Sequence, residues 1–477
     1  MVKQRFVVEE PMSAAILGES LQFPTSGRVS QNRFMKSAMS ELIATYDTKN
    51  VKLSGIPTQR IINLYERFGQ GGWGVILTGN IAVDHSHLEA GGNMAISREG
   101  DSKDSRVQYS RLASAGKNGG SLFIGQLNHT GRQTFANVNP RPFAASEVPL
   151  TGVEMRGSAF GQPVPLTVEQ IKTEVIDRFV FACNRLHEAG FDGVEIHAGN
   201  GFLLSNFLSP TTNKRKDQYG GSVANRLRIV EEIYRAIRAE IPETTGFVVG
   251  IKFNSAEFQD GGLSQEEIIE MAEAIDRIGF DFFELSGGTY EKMQFWHVKE
   301  STQRREGFFI EFAAALRPHI KNAKVFLTGG FRTVPGMVRA IKNSDTDGIS
   351  LARPAAAEPD LPRKILNKGV QSAALSLFES DFAVGLPGAQ TQLAQIGSLP
   401  LRDTMGDVCY GISDFSDQQQ ADDYKEGMFK WYGEVLNIGK QGRMAAGVFE
   451  YKTRSKNVNG GIKNIPKPPP QTNGIRF

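Results

Sequence analysis

The sequence is poor in cysteine, with only Cys183 and Cys409 in 477 residues. No CxxC pair and no ligand-like spacing occurs, so a disulfide scaffold, a zinc ribbon and an iron–sulfur cluster are excluded. The chain also lacks an apolar run near the roughly 20 residues that a membrane span needs. Its start, MVKQRFVVEEPMS, is acidic where a secretory signal would be apolar. We therefore expect a soluble, cytoplasmic protein with no membrane partner.

An excess of charge of one sign is missing as well. The 54 Lys and Arg residues nearly balance the 52 Asp and Glu residues, which leaves a formal charge of +2. This balance excludes a polyanion binder, and no nucleic-acid partner is expected. At 40% hydrophobic and 22% charged residues, the composition is that of a globular chain able to bury a large core.

Short apolar runs recur along the chain, and most of the gaps between them have helical periodicity. Continuous apolar runs that alternate with helices are typical of a parallel sheet covered on both faces. Eight such units predict an α/β fold of the (β/α)₈ type, a TIM barrel, although an open doubly wound sheet has the same periodicity. The predicted strands are Arg33–Met39, Gly74–Thr78, Leu122–Gln126, Gly193–His197, Val248–Phe253, Phe282–Ser286, Val325–Thr328 and Gly348–Leu351.

Two regions lie outside the predicted barrel. The stretch up to about Ser30 is expected to form a hairpin that caps the barrel floor. Residues 1–377 are predicted to form the catalytic barrel domain, and residues 378–477 a C-terminal extension. Within the extension, helical spacing of apolar residues predicts a docking helix near 414–436, and the Pro-rich tail around NIPKPPPQTNG predicts an extended arm. A homodimer with exchanged extensions would explain their length.

Polar residues follow the predicted strands, which is where a barrel carries its chemistry. His197 ends the fourth run and Asn200 follows it, so two hydrogen-bond donors there could polarise one carbonyl. A structural role, with the histidine bonded to a backbone carbonyl and the asparagine holding a turn, fits the same pair. Lys252, near the end of the fifth run, could form a Schiff base, as in a barrel aldolase.

Two further motifs are interpreted as structural. The GxGxxG pattern at Gly69–Gly74 follows a predicted helix and leads into a strand, the reverse of a dinucleotide fingerprint, so it predicts a turn. His85 and His87 have the spacing of a ligand pair, but no third ligand lies near them in the sequence. No metal site is therefore predicted.

Longer motifs resemble those of the Old Yellow Enzyme family of flavin-dependent ene reductases, over about Gln31 to Leu366. VEIHAGNGFLLSNFLSP with the downstream DQYGGSVANR is similar to the family's substrate-binding signature, and GQLNHTGR to its run after the third strand. LTGGFR and ISLARP resemble its two phosphate-binding loops. The resemblance implies non-covalent FMN, NADPH or NADH as reductant, and a small-molecule enone or enal whose C=C bond is reduced.

The same resemblance implies roles for individual residues. His197 and Asn200 correspond to the pair that bonds the substrate carbonyl, and Gln126 to the amide on the flavin's pyrimidine edge. Ser40 falls where members place Thr or Cys beside the isoalloxazine. The other cofactor contacts that it implies are Ser37, Met39, Gly79, Lys252, Gly329, Gly330, Ala352 and Arg353.

The chain also departs from the family pattern. Lys252 replaces the usual arginine beside flavin N1, and Ala352 replaces a glycine. Phe202 stands where many members have a tyrosine that protonates the α-carbon, and phenylalanine has no proton to give. Tyr290 is one candidate for the missing donor.

The leading prediction is thus an FMN-dependent NAD(P)H oxidoreductase acting on activated alkenes. Because Phe202 lacks the proton, a redox-neutral flavin-dependent alkene isomerase is the near alternative. A flavin-free aldolase acting through Lys252 and a flavin-binding protein without catalysis are the others. The loop Tyr290–Glu306, with Phe295 and Trp296, is expected to shape the mouth of the site.

Overall fold

The computed structural model describes residues 3–257, 259–291, 306 and 309–452. Its centre is a barrel of eight parallel strands in which neighbours along the chain pair with each other. The strands are β1 (Phe34–Lys36), β2 (Val75–Ala82), β3 (Leu122–Asn128), β4 (Gly193–Ala198), β5 (Val248–Asn254), β6 (Phe282–Ser286), β7 (Lys324–Thr328) and β8 (Gly348–Leu351). Because β8 pairs with β1, the sheet is closed and the open-sheet alternative is wrong.

Helices cover the outside of the barrel and continue into the C-terminal extension. The main ones are α1 (Gln59–Gly69), α2 (Lys103–Gly116), α3 (Asp177–Glu188), α4 (Leu203–Leu208), α5 (Val223–Glu240), α6 (Gln265–Ile278), α7 (Ile310–Leu316), α8 (Val334–Lys342), α9 (Arg353–Ala357), α10 (Leu361–Lys368), α11 (Phe382–Ile396) and α12 (Gln418–Lys440). Since α1 ends at Gly69 and β2 begins at Val75, the GxGxxG segment is a turn, as predicted.

Two of the longer helices, α2 and α11, were not predicted from the sequence. The core-facing side of α2 carries few large apolar residues, chiefly Tyr109 and Leu112, so its periodicity is weak. Helix α11 contains the run Gly385–Gly388 with Pro387 inside it, a pattern that ordinarily indicates a turn. Tertiary packing overrides these local signals, because much of α11 is buried against the barrel and the rest of the extension.

A hairpin closes the floor of the barrel, as predicted. Leu21–Gln22 pairs antiparallel with Val29–Ser30, and Phe23 between them is fully buried. The Phe23 ring lies 5.7 Å from that of Phe282 and 6.3 Å from that of Phe326. The floor cluster consists of Leu21, Phe23, Met35, Val75, Leu77, Leu122, Ile124, Val248, Phe282 and Phe326.

The predicted docking helix is α12, displaced slightly toward the C-terminus. It buries Ala421, Tyr424, Met428 and Val435, and Tyr424 packs with Phe378 of the same extension. The Pro-rich tail lies outside the described residues, as does most of the predicted mouth loop, including Phe295 and Trp296. In the described part of the chain, no helix is long and apolar enough to cross a membrane.

Candidate active site

Two glutamates and a lysine interrupt otherwise apolar strands inside the barrel. They are Glu195 on β4, Lys252 on β5 and Glu284 on β6, and all three are buried. Lys252 is the register partner of Glu284 on one side and of His197 on the other. Its ammonium nitrogen lies 2.8 Å from Glu284 Oε2. The parallel register therefore brings a lysine, a histidine and two carboxyl groups into one interior.

Glu284 is the ionised member of this cluster. Its Oε1 accepts hydrogen bonds from the hydroxyls of Ser37 and, at 2.9 Å, Ser350. Burial alone would raise the pKa of Glu284, but the charge of Lys252 and these hydrogen bonds lower it below the ordinary value. Burial opposes the charge on Lys252, yet the ionised Glu284 beside it raises its pKa. A paired ammonium is a poor nucleophile, which argues against the Schiff-base alternative.

Glu195 is the neutral member. Burial, and then the charge of Glu284, raise the pKa of Glu195 well above its ordinary value, so it keeps its proton. Gln126 Nε2 donates to Glu195 Oε1 at 2.6 Å, whereas Glu195 Oε2 is buried without a hydrogen-bond partner. Gln126 therefore donates its hydrogen bond to a neutral carboxylic acid rather than to a carboxylate.

His197 and Asn200 lie at the end of β4 and in the loop that follows. The Gly199 N–H donates to His197 Nδ1 at 3.3 Å, which assigns the ring proton to Nε2. Burial and the charge of Lys252 lower the pKa of His197 well below its ordinary value, so the ring is neutral. No described residue accepts from Nε2, which leaves that N–H for a ligand. Asn200 has φ +55° and uses one amide hydrogen on the Gly287 carbonyl at 3.2 Å.

Phe202 and Tyr290 extend this corner of the site. The Phe202 ring lies 4.9 Å from the His197 ring and 5.8 Å from the Tyr290 ring. The Tyr290 hydroxyl donates to Glu89 Oε1 at 3.3 Å. Burial and the charge of Glu89 raise the pKa of Tyr290 well above its ordinary value. Tyr290 therefore keeps its hydroxyl proton, and its ring contacts that of Phe202.

The segment after β1 meets the end of β2. Ser40 donates its hydroxyl proton to Glu89 at 2.6 Å, and Met39 is half-buried against the core. A Cβ at Gly79 would come within 2.1 Å of Glu41 Oε2. It would also lie 2.4 Å from the Met39 carbonyl oxygen, and the close approach of this backbone accounts for glycine at position 79 without any ligand.

The loops after β7 and β8 bring two arginines together. Gly329 and Gly330 have φ of +114° and +83°, a region that favours glycine, and both are half-buried. Ala352 directly precedes α9, whose first residue is Arg353. Arg353 Nη2 lies 3.1 Å from Glu379 Oε1, and Arg332 bonds the same oxygen. The loops after two adjacent strands therefore place two positive charges beside the same carboxylate.

Only one histidine of the His85/His87 pair belongs to a spatial cluster of potential metal ligands in the described part of the chain. Asp84, His87 and His129, but not His85, bring their ligand atoms within 4.8 Å of one another. His87 Nε2 accepts from the Phe143 N–H and His129 Nδ1 from the Gly131 N–H, so the nitrogens facing Asp84 carry the protons. Protonated nitrogens have no lone pair for a metal, and the absence of a metal site stays a prediction.

The sequence analysis missed several residues that organise this end of the barrel: Glu41, Glu89, Glu195, Glu284, Arg332 and Glu379. A signal for two of them was available, because Glu195 and Glu284 are single charges inside the apolar runs GVEIH and FFELS. Glu379 lies in no recognisable motif, and only the return of the extension to the barrel brings it to the arginines.

Comparison with known proteins adds independent findings. The model of the NADH:flavin oxidoreductase / NADH oxidase family matches residues 28–371. The chain is 39% identical over 388 residues to the NADH-dependent flavin oxidoreductase nadA of Aspergillus parasiticus, covering 80% of this chain and 86% of that protein. It is 37% identical over 355 residues to the NADH-dependent flavin oxidoreductase iccE of Talaromyces variabilis, covering 70% and 83%.

Solved structures show the same fold. The old yellow enzyme homologue from Zymomonas mobilis aligns with a TM-score of 0.61 and 22% identity, over 76% of this chain and 96% of that one. Morphinone reductase aligns with a TM-score of 0.60 and 22% identity, over 76% and 92%. At these identities, the likeness establishes the barrel architecture.

Proposed function

Because the chain belongs to the NADH:flavin oxidoreductase / NADH oxidase family, with FMN as cofactor and NAD(P)H as reductant, we propose that it reduces the C=C bond of an α,β-unsaturated carbonyl compound. The names of the relatives nadA and iccE favour NADH as the reductant. FMN, when bound, carries the electron pair from the reductant to the acceptor.

We place FMN at the carboxyl end of the barrel strands, where the available donors suit it. The arginine cluster at Arg353 and the adjacent glycines Gly329 and Gly330 suit a phosphate. Gln126 and Lys252 offer an amide and an ammonium to the carbonyl-bearing ring edge. The remaining proposed contacts are Ser37, Met39, Ser40, Gly79 and Ala352.

The main observation in support of an α,β-unsaturated carbonyl substrate is the protonation state of His197. A neutral ring with its proton on Nε2 donates a hydrogen bond to a carbonyl oxygen without adding a full charge. The second amide hydrogen of Asn200 supplies a partner donor from the following loop. Two such donors withdraw electrons from a conjugated carbonyl and make its β-carbon electrophilic.

The half-reactions separate this role from a structural one. In His197→Ala, we expect reoxidation by cyclohexenone to slow about 10²–10³-fold, as when one oxyanion donor is lost. Reduction of the same variant by NADH should change by only a few-fold, because no carbonyl of the acceptor takes part. Equal slowing of both half-reactions, or none in the enone step, would contradict the role of His197.

We further propose Tyr290 as the donor of the α-carbon proton in place of Phe202. Its ring contact with Phe202 and its retained proton support this assignment. In Tyr290→Phe, net reduction should fall by about 10²–10⁴-fold, the usual contribution of general-acid catalysis. The variant Phe202→Tyr/Tyr290→Phe should recover part of that loss. If the substrate is instead returned isomerised by the wild-type protein, the alkene isomerase is the correct function.

A further inference from the structure

The C-terminal extension touches the arginine cluster directly. The Arg353 guanidinium lies 4.6 Å from the centre of the Phe382 ring, at the start of α11. A Cβ at Gly385 would lie 3.3 Å from Arg353 Nη1. Arg332, Arg353, Glu379 and Gly385 line one small cavity. The extension therefore lines the cavity into which the two barrel loops bring Arg332 and Arg353.

Glu379 supplies the negative charge at this wall. Its Oε1 accepts from both Arg332 and Arg353, and its backbone carbonyl accepts from Arg353 Nη1 at 3.2 Å. The side chains of Arg332, Arg353 and Glu379 are 8%, 17% and 32% exposed, so solvent screens them only partly. The two arginines outweigh the effect of burial and lower the pKa of Glu379, which is therefore ionised.

We infer that Glu379 is a resident counter-ion which competes with the FMN phosphate for Arg332 and Arg353, and thereby sets the affinity of the protein for its cofactor. The inference rests on the proposed placement of the phosphate at Arg353. The side chains of Arg332, Arg353 and Glu379 together carry a net charge of +1, and the two arginines alone carry +2. A phosphate dianion is attracted more strongly to the second arrangement, and a half-buried site amplifies the difference.

The experiment compares two flavins on the apoprotein, prepared by removal of FMN from the full chain. Flavin fluorescence reports the Kd for FMN and for riboflavin, which lacks the phosphate. In Glu379→Gln, which preserves shape and removes the charge, we expect the Kd for FMN to fall at least tenfold. The Kd for riboflavin should stay the same.

Asp381→Asn is the matched control. Asp381 lies two residues away, and its carboxylate pairs with Lys425 at 3.3 Å instead of with either arginine. This variant should leave both dissociation constants unchanged. Inorganic phosphate gives a readout without flavin: it should raise the Tm of the Glu379→Gln apoprotein more than that of the wild type.

A Glu379→Gln variant whose affinity for FMN is unchanged or weaker, or whose affinities for FMN and riboflavin shift equally, would overturn the inference. These outcomes leave the proposed function intact, since that function requires FMN binding by the wild type but no competition from Glu379. A wild-type protein that binds neither flavin would contradict the proposed function itself.

Discussion

The floor of the barrel is filled by apolar side chains around Phe23, whereas the opposite end of the same interior holds Glu195, Lys252 and Glu284. Both ends are buried, and the same eight strands build both. At the floor, burial of apolar area favours folding directly. At the other end, burial penalises each charge, and only mutual pairing makes the arrangement tolerable.

This difference separates the source of stability from the proposed source of function. A closed floor needs shape and apolar volume, which many sequences provide. The polar end needs particular side chains in particular protonation states: a neutral His197, a protonated Glu195 and a paired Lys252. We expect substitutions at the two ends to change different properties of the protein, and to change its stability by different amounts.

The largest effect should come from breaking the buried ion pair. Lys252→Met leaves Glu284 buried without its cation, and we expect a loss of about 3–5 kcal/mol in the free energy of unfolding. Urea denaturation measures it. The double variant Lys252→Met/Glu284→Leu should regain most of the lost stability, because both charges are gone. Equal destabilisation of the single and double variants would show that the pair is not the cause.

A smaller effect is expected at the floor. Phe23→Ala removes a ring from the floor cluster and should cost about 3 kcal/mol, the low end for such a truncation, because the hairpin can partly close the space. The Kd for FMN should be that of the wild type. Phe23→Leu, as the conservative control, should cost less than about 1.5 kcal/mol. A changed FMN affinity in Phe23→Ala would contradict the expectation that the floor and the polar end act independently.

The smallest effect is a difference in pH dependence. The pKa of Glu195 is higher in the folded protein than in the unfolded chain, so its protonation stabilises the fold at low pH and this contribution is lost as pH rises. As pH rises above the ordinary range of a glutamate, the wild type should therefore lose stability relative to Glu195→Gln. The difference between the wild type and Phe23→Leu should stay flat. Parallel pH curves for the wild type and Glu195→Gln would contradict the assigned protonation.

Sequence patterns predicted one end of the barrel better than the other. The eight strands and the floor hairpin follow from local apolar runs and turn residues, which need no knowledge of distant contacts. The resemblance to a known family located Gln126, His197 and Lys252. Glu195 and Glu284 contact these residues because of the register between parallel strands. That register cannot be predicted from any single apolar run.

The extension was predicted least well, for the same reason. Helix α11 contains Pro387 between glycines, so local propensity argues against it, and packing on the barrel stabilises it nonetheless. Glu379 reaches Arg332 only because the chain returns to the strand ends after leaving the barrel. Contacts of this kind join residues that no motif connects.

The central claim is that the polar end of the barrel is a flavin site that transfers electrons from NADH to an activated alkene. An anaerobic experiment on the FMN-loaded protein tests it most directly: NADH is added first, cyclohexenone second, and the yellow absorbance of oxidised flavin is followed throughout. We predict that NADH removes the colour and that cyclohexenone restores it with formation of cyclohexanone. A protein that NADH bleaches but no activated alkene reoxidises, or one that never binds FMN, would contradict the account.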